Sequence, residues 1–85
     1  MEGDLQKAVG SNLRAYRQRR GLSQEAFADV IGVHRTYIGG VERGERNLTL
    51  RSVERIAGQI GVDPRALLGE PGGRLHPSRA RRRPG

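Results

Sequence analysis

Cysteine is absent from the chain, so it has neither a disulfide framework nor a thiolate metal site. Tryptophan is absent too, and aromatic residues make up only 4% of the sequence, a composition that suits a compact helical domain better than a β-sandwich. His34 and His76 are the only histidines. No His/carboxylate set has metal-ligand spacing, and no glycine-rich phosphate loop follows a strand. An enzyme, a metal centre, a cofactor and a small-molecule substrate are therefore not expected. No apolar run approaches the ~20 residues needed to span a bilayer, and the N-terminus lacks the apolar stretch of a signal peptide. These absences point to a soluble cytoplasmic protein with no membrane partner.

What the chain has in excess is positive charge. Sixteen Lys and Arg against nine Asp and Glu give +7 and a pI of about 11.4, which favours a polyanionic partner. The excess is uneven. Residues 1–69 carry eleven basic against eight acidic side chains, or +3, and residues 70–85 carry five Arg against Glu70, or +4. The second segment also holds most of the proline and the run Arg81-Arg82-Arg83, and it is expected to be a disordered basic tail. One small domain, residues 1–69, is left to fold.

That domain reads as five helices. Asp4 can cap a first helix that runs to about Arg20, with Leu5, Ala8, Val9, Leu13 and Tyr16 on one apolar stripe. Gly10 interrupts the stripe and should weaken the helix by ~1 kcal/mol. Gly21 stops it, and Ser23 caps a short helix over residues 24–31 with Phe27, Ala28 and Ile31 facing inward. Gly32 turns the chain, His34 begins a helix over residues 35–43, and Gly44 ends that one. Thr49 caps a fourth helix striped with Leu50, Val53, Ile56, Ala57 and Ile60, closed by Gly61. Asp63 followed by Pro64 starts a short fifth helix that Gly69 ends.

The third helix organises the rest. Ile38 and Val41, three residues apart, can enter the core from one face. Arg35, Thr36, Gly39, Gly40 and Arg43 are then expected on the outward face, with the glycines permitting close approach to another surface. Residues 24–43 together have the form of a helix-turn-helix, whose second helix enters the DNA major groove. Arg35 is the first choice for base reading, because its planar fork can donate two hydrogen bonds to guanine. Thr36 and Arg43 are further candidates.

With these residues placed, the sequence resembles the phage-repressor-like, XRE-type regulators over about residues 10–68. The markers are Gly21-Leu22-Ser23-Gln24-Glu25, Gly32-Val33, Tyr37-Ile38, Glu42-Arg43-Gly44 and Gly61-Val62-Asp63-Pro64. Within that family, Arg35-Thr36-Tyr37-Ile38, Gly40-Val41-Glu42-Arg43 and Arg46-Asn47-Leu48-Thr49 look most like the controller proteins of restriction–modification operons. The resemblance implies an all-α, five-helix, lambda-repressor-like domain. It also implies a homodimer on a (pseudo)palindromic operator that regulates transcription, with RNA polymerase as a candidate partner. Controllers usually carry a longer apolar last helix, and the Arg-rich tail is not part of their pattern.

Further roles are expected, and the resemblance favours DNA contact for Tyr37 and an ion pair for Glu42. Tyr37 either packs half-buried with its hydroxyl outward or contacts DNA. Ser23, Gln24, His34, Arg46, Asn47 and Ser52 are expected at the DNA backbone, where contacts set register and salt dependence. Glu42, an acid that would repel DNA, is expected to pair with Arg17. Ile60, Leu67 and Leu68 are expected to be exposed and to form the dimer surface. The alternative reading is an antitoxin of the same fold that binds a toxin protein and represses its own operon.

Overall fold

The computed structural model describes residues 3–69; the segment 70–85, expected as a tail, lies outside the described residues. Five helices follow one another: α1 Gly3–Arg19, α2 Gln24–Ile31, α3 Arg35–Glu42, α4 Leu50–Ile60 and α5 Pro64–Leu68. Their ends are set by local chemistry. Ser23, Thr49 and Asp63 each accept a hydrogen bond from a backbone N–H in the first turn of α2, α4 and α5, satisfying donors that a helix start leaves open. Gly32 and Gly61 terminate α2 and α4 in the left-handed region, at φ 85° and 75°, where a side chain would be strained.

Two boundaries and one cap differ in detail from the sequence expectation. Asp4 lies inside the first turn of α1 instead of capping it. His34 occupies the N-cap position of α3, yet its side chain makes no capping bond. Helix α3 stops at Glu42, and Arg43 is its C-cap.

One core joins all five helices. Val9 and Leu13 of α1 meet Phe27, Ala28 and Ile31 of α2, Ile38 and Val41 of α3, and Val53, Ile56 and Ala57 of α4. Leu48, Val62 and Leu67 complete it. The apolar stripes overreach at their ends: Leu5 is 42% exposed and Leu50 63% exposed. Leu67, expected on an exposed dimer surface, is fully buried in the chain's own core. The five residues Pro64–Leu68 give α5 little more than one turn, and packing that turn against α1 turns Leu67 inward.

Two features of α1 position the site. Gly10 is buried, and a methyl group there would overlap the backbone carbonyl oxygen of Val41 and stand 2.9 Å from that of Glu42. The glycine lets the C-terminal end of α3 rest directly on α1. Asn12 is a polar residue buried in the core, at 1% exposure. Its Nδ2 donates to the carbonyls of Leu67, at 2.9 Å, and Gly69, at 3.1 Å. These are orphan acceptors at the end of α5, where Gly69 is extended and closes no turn of its own.

Candidate nucleic-acid interface

Helix α3 is braced from behind and open in front. Ile38 and Val41 are buried at 0% and 1% exposure, and Val33 and Tyr37 pack partly against the same core. The brace is completed by Glu42, whose side chain is only 4% exposed. Arg17 of α1 donates to both of its oxygens, from Nε at 2.7 Å and Nη2 at 3.1 Å, and its third nitrogen, Nη1, reaches the carbonyl of Leu22 at 2.9 Å. Gln24 of α2 adds a bond from Nε2 to Glu42 at 3.1 Å. A single carboxylate thus ties the end of α3 to both α1 and α2. Its charge is neutralised at short range by a bidentate guanidinium, so it leaves no open acid on the front of the helix.

The front carries the basic and hydroxyl side chains. Arg35, Thr36, Arg43, Arg46 and Asn47 are exposed, as are Ser23 and His34. Tyr37 is half-buried, with the Arg46 guanidinium 5.0 Å from its ring centroid. Arg43 Nε donates to Glu45 at 3.0 Å in an exposed pair. Ser23 and Ser52 are partly committed already: Ser23 caps α2, and the Ser52 hydroxyl lies 3.0 Å from that of Thr49. The residues expected at DNA therefore fall on three pieces, namely the start of α2, α3 with its two flanking cap residues, and the loop leading into α4 with that helix's first turn. That loop is held by Gln6 of α1, whose Oε1 accepts from the Leu48 backbone N–H at 2.8 Å.

The glycine pair corrects the outward placement given to it. Gly39 and Gly40 are buried, covered by the side chains of Gln24, Arg43 and Arg46. A helical wheel turns residues 39 and 40 away from Ile38 and Val41 but omits the side chains that lie over them. Arg43 and Gln24 lie over Gly39, and Arg46 folds back over Gly40 from the loop beyond the helix. Gly10, Asn12 and Gln6 went unread as supports of the site. Asn12 did leave a signal, because it shares the stripe of Val9 and Tyr16, where a polar residue needs a buried partner. Of the residues assigned to a dimer surface, Ile60 and Leu68 are half-buried, and the Ile60 carbonyl accepts from the Tyr16 hydroxyl at 3.3 Å. Among the described residues no helix is long and apolar enough to cross a membrane.

Comparison with known proteins agrees with this geometry. The helix-turn-helix family matches residues 13–67. The control protein C.SmaI of Serratia marcescens is 43% identical over 65 residues, covering 76% of this chain and 77% of that protein. Among solved structures, the hypothetical transcription factor NHTF from Neisseria superposes with a TM-score of 0.72 at 35% identity, covering 84% of this chain and 83% of that one. The restriction–modification controller protein C.AhdI from Aeromonas hydrophila gives 0.66 at 40% identity, covering 76% and 94%. With its braced α3 and open basic front, the chain belongs to the helix-turn-helix family, as an XRE-type DNA-binding transcription regulator.

Proposed function

We propose that the chain binds operator DNA as a homodimer and controls a restriction–modification operon, including its own expression. The observation that carries this reading is the exposed start of α3, flanked by exposed arginines. Arg35 and Thr36 stand exposed at its start, while the acid at its far end is neutralised from behind by Arg17. Arg35 presents a guanidinium fork to guanine O6 and N7, Thr36 and Arg43 reach neighbouring base edges, and Tyr37 contacts the groove near the dimer axis. Ser23, Gln24, His34, Arg46, Asn47 and Ser52 hold the phosphates on either side.

The control-protein and transcription-factor names of its relatives favour a regulator over an antitoxin. Two-fold symmetry would set paired α3 helices in successive major grooves, ~34 Å apart. The half-buried Ile60 and Leu68 would meet the partner copy, with Leu67 behind them in the core. Residues 1–69 form the DNA-binding domain, and the five arginines of residues 70–85 add sequence-independent attraction to the phosphate backbone. RNA polymerase is the partner that such a regulator excludes or recruits, in the bacterial cytoplasm at the operator.

Selecting bound sequences from random duplex DNA tests the reading. Arg35→Ala is expected to cost ~1–3 kcal/mol of discrimination at one base pair of each half-site. Asn47→Ala is expected to weaken all sequences alike. Undiminished base preference in Arg35→Ala would show that another residue is the reader.

A further inference from the structure

Two consecutive glycines in an eight-residue helix disfavour that helix, so their place in α3 calls for a physical reason. Both are buried, yet what hides them is not the core. A methyl group on Gly39 would stand 3.1 Å from Nη1 of Arg43 and 3.7 Å from Oε1 of Gln24. One on Gly40 would stand 3.1 Å from Cγ of Arg46, 3.4 Å from its Nε and 3.7 Å from its Cδ. The nearest covers are thus two arginine side chains that are themselves exposed, with the half-buried Gln24 beside the first.

Each arginine arrives by a definite route. Arg43 leans back over the preceding turn, the direction long helical side chains take. Arg46 is returned over α3 because Gly44 turns the chain at φ 74° and the Glu45 N–H bonds to the Gly40 carbonyl at 2.9 Å. Its guanidinium then lies over Tyr37, 5.0 Å from the ring centroid. Both contacts with the absent methyls are tighter than ordinary van der Waals packing, so either methyl would push its arginine aside by a few tenths of an ångström and change its tilt.

We propose that Gly39-Gly40 is a seat that fixes the height and tilt of Arg43 and Arg46, making the two glycines determinants of DNA recognition without touching DNA. This rests on the reading of α3 as the DNA-binding helix. The two halves of the seat have different consequences. Arg43 reads a base edge, and an arginine fork discriminates only when both N–H groups meet their acceptors together, so a small tilt lowers preference. Arg46 holds a phosphate, a contact that carries no base information, so displacing it weakens every sequence alike.

The experiment measures operator and random-duplex affinity as a function of salt for Gly39→Ala, Gly40→Ala, Arg43→Ala, Arg46→Ala and the two doubles that pair each glycine with its own arginine. Gly39→Ala is expected to lower the ratio of specific to non-specific affinity about tenfold, as Arg43→Ala does. Gly40→Ala is expected to weaken both duplexes and reduce the salt slope by ~1, as Arg46→Ala does. Each double should bind no worse than its arginine single, since an absent arginine needs no seat. Thermal melts should show both glycine variants folded at least as firmly as the parent.

Losses that multiply in the doubles would overturn the seat, because the methyls would then be meeting DNA directly. Unchanged binding in the glycine variants would overturn it too, as would arginine variants that bind normally. A parent protein with no sequence preference would remove the DNA reading of α3 and the seat with it.

Discussion

Gly10→Ala is expected to destabilise the fold by about 3 kcal/mol and lower Tm by roughly 10 to 20 °C. Helix propensity alone says the opposite, since alanine inside α1 should gain ~1 kcal/mol over glycine. The contact decides the sign. The added methyl would overlap the Val41 carbonyl oxygen and come within 3.0 Å of the Glu42 carbonyl carbon. Both belong to backbone held by the core, so no rotamer change relieves the collision and α3 must move away from α1. Circular dichroism melts of parent and variant read the sign directly. A melting point at or above the parent's would mean that α1 and α3 are not in this contact. Because the displaced segment is the end of α3, operator affinity should fall even where the variant still folds.

Glu42→Ala is expected to be comparably severe, at ~3–5 kcal/mol, because it strands a charge that the fold has already taken out of water. Arg17 keeps its bond to the Leu22 carbonyl but loses two bonds to carboxylate oxygens, and Gln24 loses its own. With a side chain only 13% exposed, Arg17 recovers little hydration. A domain with ~5–15 kcal/mol of total stability would lose a large share of it. The exposed Arg43–Glu45 pair, at 60% and 62% exposure, provides the contrast. Glu45→Ala should change stability by less than ~1 kcal/mol. Chemical denaturation of the two variants side by side should show a wide gap between them. Equal midpoints would mean that Glu42 is no brace.

Much of the fold was legible in the residues. Ser23, Thr49 and Asp63-Pro64 announce helix starts, and Gly32 and Gly61 announce ends, because each acts through atoms of its immediate neighbours. Core positions such as Val9, Leu13, Phe27, Ile38 and Val53 follow from period alone. Period cannot report how far along a stripe burial extends, and Leu5 and Leu50 look like core yet are exposed. Nor can it report what returns from a distance. Gly10 looks like a weak point until α3 is laid across it, and Gly39-Gly40 looks open until Arg46 folds back. Asn12 has no evident role until the end of α5 arrives with bare carbonyls. In the site, the exposed fronts of Arg35 and Thr36 were readable from the helix period. The bond from Gln24 to Glu42 was not, since it joins residues 18 apart.

Backbone amide chemical shifts, followed while a duplex carrying the selected sequence is added, provide the most direct measurement of which surface meets DNA. The largest changes are expected along α3 from Arg35 to Glu42, with flanking changes at Ser23 and Gln24 and through residues 46–52. A silent α3, with the changes gathered on α1 or confined to residues 70–85, would contradict it.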